Sequence, residues 1–154
     1  MFCTNNNSSI LENKLSSVDS VWTCGCGASN GGYRIECGNC GQSKNKPWGN
    51  YRILLDDNNC KVKQITVNPQ KRLSSQYHQY RDELWMIVKG EAKIEINNKE
   101  IWKSYGETVS IKKEQQHRVT NPSFDNELIF IEIQTGSSFD EDDITRVEDD
   151  YNRN

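Results

Sequence analysis

Residues 51 to 133 predict an all-β jelly roll of two packed sheets. Three observations carry this: short apolar runs that alternate at period two, polar turns at close intervals between them, and no stretch with a helical period. Tyr51-Arg-Ile-Leu-Leu55 and Cys60-Lys-Val-Lys-Gln-Ile-Thr-Val67 flank Asp56-Asp-Asn-Asn59 as the arms of a hairpin flank its turn. Residues 73 to 78 read as the next strand. Leu84 to Val88, Ala92 to Ile96, Ile101 to Trp102, Thr108 to Ile111, Arg118 to Val119 and Leu128 to Ile133 follow, each bounded by polar residues, with Asn58-Asn59 and Asn97-Asn98 as tight-turn candidates. Eight or more short strands with no helix between them fit a double-sheet roll better than any layered α/β fold.

The hydrophobic fraction of the 154 residues is 34%, which is low, but it is concentrated between Tyr51 and Ile133. A core of ordinary size is therefore expected there, and tails or a stapled module at the ends. A formal net charge of -3 argues against general coating of nucleic acid, which needs a basic surface. Residues 1 to 20 hold no apolar run long enough for a signal core or a membrane span, so the expected location is cytoplasmic, with no membrane partner. No glycine-rich phosphate loop precedes Pro47, so no nucleotidyltransferase segment is expected in these residues.

Residues 1 to 20, rich in Asn and Ser, read as a disordered lead. Residues 21 to 41 place Cys24, Cys26, Cys37 and Cys40 in two close pairs flanked by glycines, a spacing that favours a tetrahedral four-cysteine zinc module over disulfides in a reducing compartment. Four thiolates close such a site, so its role is structural. Trp22-x-Cys24, Cys26, Asn30 and Cys37-x-x-Cys40 resemble the Ran-binding-protein type of zinc finger, with a first pair one residue shorter than usual. That resemblance implies a protein or RNA partner, for which Trp22, Tyr33 and Arg34 are the contact candidates; the same two aromatics serve equally as the module's own minimal core. Residues 42 to 46 read as a polar linker, and residues 47 to 154 as the jelly-roll domain. Cys3 and Cys60 read as a tail thiol and a small strand residue, and Trp48 and Trp85 as core.

The chemistry-bearing stretch is Pro69 to Gly90, with a counterpart from Gly106 to Asn121. On a strand, side chains two apart share a face, so Gln76 and His78 point the same way, with Ser74 beside them. Glu83 begins the next strand, and His117, the only other histidine, completes a Gln/His/Glu/His set. Such a set is intermediate between hard and soft, so zinc, manganese, iron, cobalt and nickel all suit it.

Gln76-x-His78, Glu83, Gly90, then Gly106, His117 and Asn121, reproduce the spacing of the two paired motifs of the cupin superfamily. Together with Lys46-Pro47-Trp48-Gly49, Arg81, Trp85, Ile131-Glu132, Gln134, Gly136, Glu141-Asp142-Asp143-Ile144 and Arg146, they resemble the C-terminal cupin domain of the type II mannose-6-phosphate isomerase family, over about residues 46 to 153. The family commonly has His where this chain has Tyr80, Gly where it has Gln70, and Pro and Gly where it has Lys112 and Glu114. The resemblance implies a cupin double-stranded β-helix holding one divalent metal on Gln76, His78, Glu83 and His117. It implies interconversion of mannose 6-phosphate and fructose 6-phosphate, and a homodimer. For that reaction Lys63, on one strand face with Ile65 and Val67, and Glu83 are the candidate bases, Tyr80 is a candidate relay, and Arg72, on the parity of Ser74 and Gln76, and Arg146 are the candidate phosphate ligands. The alternatives are a non-catalytic cupin that binds a sugar or sugar nucleotide, with the finger docking a partner, and a sugar epimerase.

Overall fold

The computed structural model describes residues 43 to 153, together with the backbone of β1 (Trp22–Thr23) and β2 (Ser29–Asn30), which pair antiparallel. The expected lead over residues 1 to 20 and the Cys24, Cys26, Cys37 and Cys40 module lie outside the described residues. The other strands are β3 (Lys44–Lys46), β4 (Gly49–Asp56), β5 (Cys60–Val67), β6 (Ser75–Tyr77), β7 (Arg81–Lys89), β8 (Ala92–Ile96), β9 (Lys99–Lys103), β10 (Thr108–Ile111), β11 (His117–Thr120), β12 (Leu128–Gly136) and β13 (Thr145–Glu148). They form two antiparallel sheets, β10-β7-β12-β5-β4-β3 and β13-β6-β11-β8-β9, and the one helical element among them is a single 3-10 turn at Glu141–Asp143.

The strands alternate as a roll requires. Along β7, Arg81, Glu83, Trp85 and Ile87 are buried, while Leu84 and Met86 between them are exposed. Ile65, Val67, Ile87 and Phe130 from the larger sheet form one buried cluster with Ala92, Ile94 and Val119 from the smaller. Each of these side chains other than Ala92 contributes about 1.5–3 kcal/mol on burial, and this layer holds the two sheets together. Trp48 and Trp85 belong to the same cluster, in keeping with their reading as core. Among the described residues no helix is long and apolar enough to cross a membrane.

Several local expectations are met and two are corrected. Asn97 and Asn98 have φ of 48° and 63°, the pair of left-handed residues that a type I′ hairpin turn needs between β8 and β9. Lys44–Lys46, expected within a linker, instead pairs with β4, and Lys46 reaches Glu141 at 3.9 Å. The sheet therefore begins before Pro47. The strand expected over residues 73 to 78 shortens to β6, because Leu73 and Arg72 bond elsewhere: the Leu73 N–H donates to Val119 O, and Arg72 bridges Thr120.

Gln70 and Glu114, which stand where the resembled family has glycine, adopt φ of 57° and 64°. This region costs a side-chain-bearing residue roughly 1 kcal/mol or more, and hydrogen bonds offset it. The Gln70 side-chain amide donates to Pro122 O at 2.6 Å, and the Glu114 N–H donates to His78 O at 2.7 Å. The turn geometry survives without its glycines.

The acidic C-terminal segment packs back on the roll. β13 pairs with β6, Asp143 is 8% exposed, and the Tyr151 hydroxyl donates to Arg72 O at 3.0 Å. Charge alone would leave such a run in solvent; specific donors, the Gln79 N–H to Asp143 and Arg81 to Asp140 O, bring it in.

Candidate metal centre

Cross-strand register explains how the site assembles. His117 on β11 stands opposite Gln76 on β6, which in turn stands opposite Arg146 on β13. Directly opposed residues share a face, so this row aims all three side chains the same way. On the other sheet, Glu83 on β7 faces Gln134 on β12, and Glu132 on β12 faces Lys63 on β5. Two rows from two sheets thus frame one space.

His78, Glu83 and His117 place their ligand atoms within 4.8 Å of one another. His78 Nε2 is 3.1 Å from one Glu83 oxygen, and His117 Nε2 is 3.6 Å from the other. Both histidines are 2% exposed and Glu83 is 3% exposed. The tautomers follow from the other ring nitrogens. His117 Nδ1 lies 2.8 Å from Gln115 O and His78 Nδ1 lies 3.1 Å from Asp143 O; a carbonyl only accepts, so each Nδ1 carries the proton. In the neutral ring each Nε2 is then a lone pair turned toward a carboxylate.

That arrangement is repulsive unless a cation lies between the groups. Burial pushes the His117 pKa down, against the pull of Glu83, which favours the neutral ring. Its Nε2 has no hydrogen-bond partner among the described residues, and His78 Nε2 has only Arg81 Nη2 at 3.5 Å. Burial alone would raise the Glu83 pKa, but the carboxyl is held well below the usual range, and with both rings neutral the Arg81 guanidinium 3.3 Å away is the cation that keeps it ionised. Lone pairs, an ionised carboxylate and an orphaned buried nitrogen are what a divalent cation requires, so the residues fit the metal.

Surrounding groups fix the ligands. Trp85 Nε1 donates to Glu83 at 3.0 Å, Gln134 Nε2 at 3.2 Å and Arg81 Nε at 3.3 Å. Ser74 Oγ donates to Gln76 Oε1 at 2.8 Å, which sets the amide of the fourth expected ligand. These contacts pre-organise the donor set before any ion arrives.

A cavity opens beside the cluster. Gln76 and Glu83 belong to its wall, with Lys63, Glu132, Gln134 and Arg146 around them; the two histidines do not line it. Lys63 Nζ lies 3.7 Å from Glu132 Oε1, to which Gln134 Nε2 donates at 2.6 Å. Burial, and next the charge of Glu83, push the Glu132 pKa up to about 7. Arg146 Nε is buried without a hydrogen-bond partner among the described residues, whereas the wall's Lys46, Lys63 and Arg153 are paired with Glu141, Glu132 and Asp149.

Two expected site residues are elsewhere. Arg72 is not in the cavity wall; Asp150 grips its guanidinium through two bonds, at 2.5 and 2.8 Å, on the outside of the smaller sheet. Tyr80 is 51% exposed and lies on a different, acidic hollow with Asp140 and Asp142, so it does not serve as a relay in the cavity. Glu83 is engaged by His78, His117, Arg81, Trp85 and Gln134 and is a poor candidate for a free base. Glu132, Gln134 and Arg81 match the resembled family in the sequence but are given no site role there; all lie on the buried parity of β7 and β12.

Glu132 gives the metal-free protein a distinctive pH dependence. A carboxyl whose folded pKa lies above its unfolded value binds the proton more tightly in the fold, so its contribution favours folding at low pH and is lost as pH rises from about 4.5 to about 7. Thermal melts of chelator-treated protein across this window should show Glu132→Gln gaining on the wild type as pH increases. A constant difference would contradict the assigned environment.

The family model described as mannose-6-phosphate isomerase C-terminal matches residues 37–149. The chain belongs to this family. Among its relatives, the alginate biosynthesis protein AlgA of Pseudomonas aeruginosa is 39% identical over 108 residues, covering 70% of this chain and 22% of its own length. Mannose-1-phosphate guanylyltransferase ManC of Salmonella typhimurium is 37% identical with the same coverage, so the chain spans little more than a fifth of these relatives. A solved protein with a double-stranded β-helix domain from Klebsiella pneumoniae superposes with a TM-score of 0.57 at 18% identity, over 75% of this chain and 86% of that one. It supports the cupin-like roll.

Proposed function

We propose that the chain is a metal-dependent aldose–ketose isomerase that interconverts mannose 6-phosphate and fructose 6-phosphate. The observation that carries this reading is a convergent His78/Glu83/His117 cluster that meets, through Glu83, a cavity lined by a buried Lys63–Glu132 pair and an unpaired Arg146 guanidinium nitrogen. A divalent cation bound there supplies Lewis-acid polarisation of a substrate oxygen.

The chain's own residues supply the rest. Aldose to ketose conversion takes a proton from C2 and delivers one to C1, while the hydroxyl proton passes from O2 to O1. Glu132, with a pKa near neutrality and Lys63 beside it, is suited to accept the first and return it. Arg146 offers a fork-shaped cation to the phosphate, and Gln134 Oε1, buried without a partner among the described residues, offers an acceptor to a sugar hydroxyl. Lining residues Trp48 and Ile65 exclude water from one side.

A coupled assay with mannose 6-phosphate tests the proposal. Turnover should vanish with chelator and return with one of zinc, manganese, iron, cobalt or nickel, and Arg146→Ala should lower kcat/KM by about 10–100-fold, the worth of one charged hydrogen-bonding group. Absence of turnover with all five metals would overturn it. Tyr80, turned away from the cavity where the family commonly has His, favours a second reading as a sugar-phosphate binding module; binding without turnover would select that reading.

A further inference from the structure

Arg72 stands outside the cavity, yet its contacts lead back into it. Its backbone is anchored to Thr120 at the end of β11, and the next residue, Leu73, lies in the cavity wall. From this fixed point Arg72 holds two consecutive residues of the C-terminal segment. Its guanidinium takes both carboxylate oxygens of Asp150, at 2.5 and 2.8 Å, and its carbonyl accepts from the Tyr151 hydroxyl at 3.0 Å.

The residues on either side of this clasp point the other way. The Arg153 guanidinium lies 5.0 Å from the centre of the Tyr151 ring and lines the cavity. Asp149 accepts from Arg153 Nε at 3.1 Å and also bonds Nη2, which leaves Nη1 as the donor for an anion. Arg146 enters the same wall from β13, opposite Gln76. The segment thus alternates between a fastening on the outside of the smaller sheet and two guanidinium groups inside.

The fastening is weak as a source of stability and well placed as a guide. The Arg72 and Asp150 side chains are 41% and 37% exposed, and ion pairs so exposed add little to the free energy of folding. Past Glu148, however, no strand pairing holds the chain among the described residues, and a terminal segment keeps its place only where it is tied down. We propose that Arg72 is a positioning residue for the cavity: by fastening Asp150 and Tyr151 outside, it keeps Arg153 and Arg146 at the wall where a phosphate binds. The proposal rests on the phosphorylated substrate inferred above and adds a residue that never touches it.

Titration calorimetry of the metal-loaded full chain with inorganic phosphate tests this whether or not the protein turns sugar over. Arg72→Ala should weaken phosphate binding about 5-fold, the upper end for one exposed ion pair, and leave metal affinity and near-UV circular dichroism unchanged. Asp150→Asn should match it, and the two together should be no worse than either alone. Arg72→Lys, which keeps the charge but not the fork, should fall between wild type and Arg72→Ala. Arg146→Ala should weaken phosphate further, placing the ion in the cavity. In the coupled assay the clasp variants should raise KM for mannose 6-phosphate by the same factor, with kcat within about twofold of wild type, as expected for lost binding rather than lost chemistry. Phosphate affinity unchanged in both clasp variants, losses that add in the double variant, or a wild type that binds no phosphate overturns the proposal. Phosphate binding that follows the clasp in a protein without turnover supports it and sinks only the isomerase reading.

Discussion

Replacing Arg81 with Met destabilises the protein by about 3–5 kcal/mol, the usual cost of removing one partner from a buried ionic network. Arg81 is 2% exposed and joins the two halves of the site: Nε donates to Glu83 at 3.3 Å, and Nη1 donates to Asp140 O at 3.0 Å and reaches Asp143 Oδ2 at 3.5 Å. Asp143 in turn accepts from the Gln79 N–H at 2.9 Å and, through its carbonyl, holds His78 Nδ1. Loss of the guanidinium leaves two buried carboxyls facing one another's fields with no cation. Chemical denaturation of the metal-free protein is the measurement, and a loss under about 1 kcal/mol would show that Arg81 is not the link between the C-terminal segment and the cluster. Added metal should recover part of the loss, because it neutralises Glu83 but not Asp143.

His117→Ala should raise the metal dissociation constant at the cavity by more than about 100-fold, beyond the 10–100-fold typical for loss of a residue that merely supports a ligand. Under the proposed function, the same variant should also lose turnover of mannose 6-phosphate. His117 is held by Gln115 and packs edge-on against Trp85 at 5.4 Å, so its removal also leaves space beside a buried aromatic. The wild-type fold should persist, since the lone pair that had no partner is gone with the ring. Titration calorimetry against the wild type reads the first effect; undiminished affinity would remove His117 from the donor set.

The fold and the metal cluster were legible for different reasons. Period-two alternation located most strands, and Asn97-Asn98 announced its turn through the backbone conformation those residues tolerate. Gln76, His78, Glu83 and His117 stood out because histidine is rare in this chain and both copies fall at spaced motif positions. Glu132 and Gln134 were hidden by the same alternation that revealed β12. Ile129, Ile131 and Ile133 look like the core face of that strand, yet they point outward and the polar residues point in. Hydrophobic patterning misassigns a strand whose interior face is a site and whose exterior face is apolar. Arg72 was misplaced for another reason: its partner, Asp150, lies 78 residues away, and no local pattern foretells that capture. Lys44–Lys46 resembles a linker in composition and became a strand through pairing with β4, a tertiary effect that overrides weak local preference.

Anomalous diffraction from crystals grown with manganese or zinc shows whether His78, Glu83 and His117 hold an ion. One peak should lie between His78 Nε2, Glu83 and His117 Nε2, with Gln76 Oε1 turned toward it, and should disappear in His117→Ala. Density at that position with no anomalous signal under saturating metal, or an ion bound only by residues outside this cluster, would contradict the account.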